Sequence, residues 1–196
     1  MAFDPKGRTV TSGADDGFLR CFAVPTGKSI SKVRGQGVIR AVRYAPDGDT
    51  VFFGTDKGVW RAQVSTGEVI EQRPCQPRIM SLQLSADGHT LLAGCSNGTV
   101  RLWRLEDADS APRVIRVGVN SVGALGVRRD GRLLATGDHA GILCLVDLRN
   151  GTVIAKTEKA HRASINGVGF GAKEERLFSV GADARLKIWK LNAPSR

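Results

Sequence analysis

One corner recurs along the whole chain. Four segments superimpose residue by residue: FDPKGRTVTSGADDGFLRCF, YAPDGDTVFFGTDKGVWRAQ, LSADGHTLLAGCSNGTVRLW and VRRDGRLLATGDHAGILCLV. A fifth, FGAKEERLFSVGADARLKIW, follows without the usual glycine. The equivalent corner residues are Gly7, Gly48, Gly88, Gly131 and Glu174, at intervals of 41, 40, 43 and 43 residues. Self-similarity at such a period means one supersecondary unit made repeatedly, and that unit decides the fold.

Each unit reads as four strands. An apolar stretch comes first: Ile39–Tyr44, Ile79–Leu84, Val122–Val127 or Ile165–Phe170. A PDG or ADG turn follows, whose glycine is free to take a positive φ. A β-branched or Leu-rich run is next (Thr50–Phe53, Thr90–Ala93, Leu133–Thr136, Leu177–Val180), then a second polar turn and a third run such as Thr99–Leu105 or Leu186–Leu191. The last run, Glu68–Gln72 or Val153–Thr157, is more polar and is expected outermost. No stretch shows helical periodicity, and the turns are too short for crossover helices, so the unit is an antiparallel meander. Its sheet cannot bury both faces alone. Radial stacking solves this, which predicts an all-β fold: a β-propeller of four-stranded antiparallel blades. The chain is read as one domain over 1–196, with blades at 1–34, 35–75, 76–118, 119–159 and 160–196. The acidic, proline-bearing segment EDADSAPR (106–113) is expected to be a solvated loop widening one connection.

The units resemble the WD40 repeat family. In the last one, Ala160-His161 stands where that family has Gly-His, with Ser179 in the second strand, Asp183 in the turn after it and Trp189 at the end of the third. The resemblance implies that His161, Ser179, Asp183 and Trp189 form a hydrogen-bonded tetrad, which satisfies polar groups that would be costly to bury unpaired. Elsewhere the pattern is degraded. The Asp position holds Asp16, Lys57, Asn97 and Ala140; the Trp position holds Phe22, Gln63, Trp103 and Val146; the Ser/Thr position holds Ser12, Phe53, Ala93 and Thr136. The fold class is thus about five blades' worth of chain with incomplete end blades. Met1 falls just before Phe3, and Arg196 follows Trp189 by seven residues. Further chain, a partner or a second copy is expected to complete them, because open strand edges invite association.

Composition narrows the function. The 24 glycines, about 12% of the chain against an average of roughly 7%, fit the many corners. Lys plus Arg number 29 against 19 acidic residues, a formal charge of +10 spread without a basic tail. Cys21, Cys75, Cys95 and Cys144 stand far apart with no CxxC pair, so reduced thiols in an intracellular protein are expected, and no metal. No apolar run reaches the 18 or so residues of a membrane span. No GxSxG, HExxH or GxxxxGK[ST] pattern occurs, which argues against an enzyme and against any cofactor.

Binding is the remaining class. In the resembled family, partners dock on the rim around the central channel, near the loops entering each innermost strand. Here that rim is expected to hold Arg40, Arg43, Arg78, Met80, Asn120, Arg162 and Asn166. Its arginines suit acidic peptides, phosphate or an RNA backbone. Trp60 follows the alternation of Val100 and Leu186 and is expected in the core. The run Val146-Asp147-Leu148-Arg149 keeps the Asp and Arg, without the Trp, of a Trp-Asp-x-Arg ending found in substrate receptors of cullin-type ubiquitin ligases. The sequence reading is a non-catalytic scaffold or adaptor binding other proteins in the cytoplasm, with the nucleus as an alternative compartment. The alternative functions are an RNA-associated component of a ribonucleoprotein particle and a cullin-ligase receptor.

Overall fold

The computed structural model describes residues 1–107, 110–173 and 175–191. The expected corner at Glu174, two residues of the 106–113 loop and residues 192–196 lie outside them. The described chain forms five antiparallel sheets, each running in sequence order. The first holds β1 (Ala2–Phe3), β2 (Thr9–Gly13), β3 (Phe18–Ala23) and β4 (Ser29–Arg34). The second holds β5 (Ala41–Tyr44), β6 (Thr50–Gly54), β7 (Gly58–Gln63) and β8 (Val69–Pro74). The third holds β9 (Ile79–Leu84), β10 (Thr90–Cys95), β11 (Thr99–Arg104) and β12 (Arg113–Arg116). The fourth holds β13 (Val122–Val127), β14 (Leu133–Asp138), β15 (Leu143–Asp147) and β16 (Thr152–Thr157). The fifth holds β17 (Ile165–Phe170), β18 (Arg176–Gly181) and β19 (Leu186–Lys190).

The inner strands β5, β9, β13 and β17 lie against one another in succession, which makes the sheets blades around an axis. Strand alternation sends successive side chains to opposite neighbours. Val51 and Phe53 enter the gap towards the first blade, and Phe52 the gap towards the third. The core is therefore four apolar layers, one in each gap. The outer strand β16 is exposed at every residue, as its polarity predicts. The corner glycines Gly7, Gly48, Gly88 and Gly131 take φ values of 68°, 75°, 76° and 70°.

Blade spacing is set by a different glycine, the one near the end of each second strand. A Cβ on Gly13, Gly54 or Gly137 would stand 2.2, 2.4 or 2.3 Å from the Cγ2 of Ile39, Ile79 or Ile165, at the start of the next blade. On Gly94 it would stand 2.5 Å from the Val122 carbonyl oxygen. In the fifth blade the same position is Val180, 40% exposed. Polar ties cross the gaps as well. The Tyr44 hydroxyl lies 2.5 Å from Thr11 Oγ1 and 3.0 Å from Thr9 Oγ1, joining the second blade to the first. Arg73, 5% exposed on β8, pairs with Glu71 and donates at 3.4 Å to the Arg104 carbonyl of the third blade.

Gly137→Ala is expected to cost about 1–3 kcal/mol by overpacking against Ile165. Gly169→Ala, whose Cβ meets nothing within 4 Å, should be neutral or slightly stabilising. Urea unfolding of both variants checks the pair, and equal destabilisation would count against this account of the blade spacing.

Candidate functional site

The connections entering each inner strand and the turns between second and third strands share one end of the propeller. They are bonded together there. Ile39 N donates to Ala14 O, Ile79 N to Thr55 O, His139 N to Ser121 O and Ala182 N to Ser164 O, all at 2.8–3.1 Å. This framework presents most of the expected rim residues.

Arg40 precedes β5, anchored by its backbone N–H on Gly54 O, with its guanidinium 3.7 Å from the Asp56 carboxylate. Arg78 is exposed before β9, and its carbonyl accepts from Ser96 N. Arg162 is exposed, with its backbone N–H on Asp183 Oδ2. Asn120 donates to Asp138 Oδ2 at 3.0 Å. Met80 and Asn166 occupy a recurring bulge. The β9–β10 and β17–β18 ladders each skip one inner-strand residue there, so its side chain is turned out of the ladder. Arg43 lies apart from the group. It sits deeper along β5, on the channel side, and its Nε donates to the Leu82 carbonyl across the gap at 3.2 Å. The surrounding protein lowers its pKa by desolvation, yet a guanidinium stays charged.

Charge on this rim is unevenly spent. Asp16 pairs with Arg20 at 2.5 Å and accepts from Phe18 N, and the Arg20 hydrogen bond holds its pKa below the usual carboxylate value. Asp138 accepts from Ala140 N and Ile142 N at 2.9 and 2.8 Å. Asn97 and Asp183 cap their own turns, accepting from Thr99 N and Arg185 N. Most of these carboxylates are occupied by local structure, although exposed Asp15 has no partner among the described residues and Asp56 Oδ1 accepts no hydrogen bond; Arg78 and Arg162 form no ion pair among the described residues.

In the fifth blade, His161 Nδ1 lies 2.8 Å from Asp183 Oδ1, and its Nε2 lies 2.8 Å from Ser179 Oγ. Trp189 Nε1 donates to the same Oγ at 2.9 Å. The indole can only donate and the ionised carboxylate can only accept. The Ser179 hydroxyl therefore donates to Nε2, and Nδ1–H donates to Asp183. The bond from His161, then that from Arg162 N, hold the Asp183 carboxyl down at about 2. The order Ser-His-Asp matches a hydrolase triad, but nucleophile and base must meet substrate. Ser179 and His161 are each 1% exposed, and the Oγ already receives the indole N–H. The chain of bonds closes a blade and performs no chemistry. Among the described residues, no three His, Cys, Asp or Glu side chains gather as metal ligands.

Where the tetrad is degraded, other groups cap the turn. Asp138, two positions before Ala140, does so in the fourth blade. Thr55 does so in the second, accepting from Lys57 N and from Trp60 Nε1 at 3.0 Å. Trp60 is 5% exposed within the first core layer. A polar residue just ahead of a degraded turn is the signal that sequence reasoning passed over. Arg149 folds back on Asp147, with Nη2 to Oδ2 at 2.7 Å, and holds that carboxyl down at about 2.

Residues 22–194 match the family described as nucleolar protein 10-like, N-terminal domain. SEC12-like protein 2 of Arabidopsis thaliana is 23% identical over 202 residues, covering 96% of this chain and 50% of that protein. The periodic tryptophan protein 2 homolog of Schizosaccharomyces pombe is 22% identical over 206 residues, 93% of this chain and 24% of that one. A guanine nucleotide-binding protein subunit beta of Oryza sativa subsp. indica is 31% identical over 143 residues, 64% of this chain and 37% of that one. The chain spans half the length of these relatives or less. No helix among the described residues is long and apolar enough to cross a membrane.

His161→Ala should destabilise by about 1–3 kcal/mol, because buried Ser179 loses a partner. For Asp183 the sign follows from its lowered pKa. Its stabilisation is complete above the ordinary value of 3.8 and is lost as pH falls through about 2. The stability gap between wild type and Asp183→Asn should accordingly be flat near neutrality and close in strong acid, as urea titrations across that range would measure.

Proposed function

The chain belongs to the nucleolar protein 10-like N-terminal domain family, and on that premise we propose that this β-propeller is a non-catalytic scaffold whose loop rim binds acidic surfaces of other proteins. The observation that carries this reading is the rim's imbalance: most of its carboxylates are held in turn caps or ion pairs, Asp15 excepted, while Arg78 and Arg162 are exposed without an ion pair among the described residues. A rigid framework carrying unspent guanidiniums favours bidentate contact with a partner's carboxylates. Arg40, Met80, Asn120 and Asn166 supply the neighbouring polar and apolar contacts, and Arg43 supports them from the channel wall. Relatives named as subunits, the guanine nucleotide-binding protein beta subunits and the small ribosomal subunit protein RACK1 of Drosophila melanogaster, are by name parts of assemblies. The exposed apolar faces of the end blades, with Phe3 at 58% and Leu186 at 61%, are read as surfaces that further chain, a second copy or a partner covers. The compartment proposed is intracellular, the cytoplasm or the nucleus.

The alternative is an RNA-associated component of a ribonucleoprotein particle. It draws on the +10 charge and on the words nucleolar and ribosomal in the names above. The cullin-ligase reading rests on Asp147 and Arg149 alone, and those two are engaged with each other.

Affinity capture with the triple variant Arg40→Gln/Arg78→Gln/Arg162→Gln separates the readings. The scaffold reading expects acidic partner proteins to fall away by about tenfold, with unfolding unchanged and nuclease without effect. Capture that survives the triple variant contradicts it. Loss on nuclease treatment, with a steep salt dependence, favours RNA instead.

A further inference from the structure

The opposite end of the channel carries a second site of different make-up. There the first turns of the third, fourth and fifth blades converge around a depression of about 280 Å³. Leu84, Val127 and Phe170, the last residues of β9, β13 and β17, give it an apolar floor. Gln83 lines one wall, and its buried Oε1 has no hydrogen-bond donor among the described residues. Buried acceptors are almost always satisfied, so one left without a protein donor beside a cleft is available to an incoming N–H. Arg129 lines the other wall, exposed and in no ion pair among the described residues.

The depression continues into a neighbouring one of about 380 Å³ through the shared residues Gly171 and Ala172. Lys173 and Arg176 stand there, exposed and likewise without an ion pair among the described residues, beside the exposed carboxylate of Glu175. Next to Arg129, Arg128 is engaged with Asp130, its Nε donating at 2.9 Å, so it is neutralised in place. The cleft is thus apolar at its base, holds an orphan acceptor, and is flanked by Arg129 on one side and on the other by Lys173 and Arg176, which form no ion pair among the described residues although Glu175 stands nearby.

We propose that this mouth binds an extended acidic peptide segment with one aliphatic side chain. The aliphatic group covers Leu84, Val127 and Phe170. Carboxylates on either side of it meet Arg129 and the Lys173–Arg176 pair, and a peptide N–H reaches the Gln83 amide oxygen. Stacking bases would need exposed aromatic rings, whereas the floor is aliphatic apart from a partly buried Phe170. The site is independent of the loop rim and uses none of its residues.

Fluorescence anisotropy on the full chain tests this, with a labelled Glu/Asp peptide bearing one central Leu as the probe. Saturable binding is expected, weakened about tenfold by Arg129→Glu and comparably by exchanging the probe's Leu for Ser. The triple rim variant should bind the probe as wild type does. Arg129→Ala and Lys173→Ala, both at exposed positions, should each give a smaller loss with unchanged unfolding. Absence of saturation at low salt, or undiminished binding by Arg129→Glu, would overturn the proposal. So would tighter, Arg129-dependent binding of a uridine oligomer of equal charge, which would make the mouth a nucleic-acid site.

Discussion

Everything in this propeller hangs from the contact between a glycine α-carbon and the first large side chain of the next blade. Gly13, Gly54 and Gly137 each lie under an isoleucine whose Cγ2 occupies the place of the missing Cβ, and Gly94 lies under the Val122 carbonyl. These four glycines have ordinary strand φ values, so space and not backbone freedom demands them. The contact fixes how closely consecutive sheets approach, and hence the depth of each core layer. Burying the isoleucine itself is worth about 1.5–3 kcal/mol. The same residue starts the inner strand, so its placement also fixes where the entering loop meets the second turn. Rim geometry is a consequence of core packing.

That dependence explains why the polar signature can decay while the fold persists. The complete Trp189–Ser179–His161–Asp183 chain belongs to the fifth blade, whereas the other turns are capped by whatever acceptor stands near. Asn97, Asp138 and Thr55 fill that role from different positions. Each turn needs an acceptor for its free N–H groups, and many side chains meet the need. The space above the glycine tolerates no such variety.

The repeat, the strand order and the buried faces were legible because they rest on periodicity, which a sequence displays directly. Four features were not. The inner strand of the second blade begins at Ala41, two residues after Ile39, since Ile39 and Arg40 direct their N–H groups to Ala14 and Gly54. The bulges that turn out Met80 and Asn166 arise from register between two strands, and no single strand announces a skipped partner. Arg43 reads as a rim residue by its nearness to a loop, but three residues of strand rise carry it about 10 Å into the channel. Arg73 is the converse: a charged residue on an outer strand, it is buried by a carbonyl from the next blade. Long side chains answer to neighbours distant in sequence, and periodicity says nothing about those.

The same logic refines what the net charge means. Asx-type caps recur because each blade needs an acceptor at its turns, and this fixes where many of the carboxylates must be. Asp16, Asp47, Asp87, Asp130 and Asp183 all accept from backbone N–H groups within their own turns. Arginines face no comparable demand. Where one does serve structure it is tied to a carbonyl or carboxylate, as Arg43, Arg73 and Arg113 are. Those left over collect at the two ends, where turns and loops leave room for long side chains. An excess that looks diffuse along the chain becomes two localised sets of unspent cations, one around polar loops and one around an apolar floor. Because their surroundings differ, the two ends favour different ligands even though the charge they offer is the same.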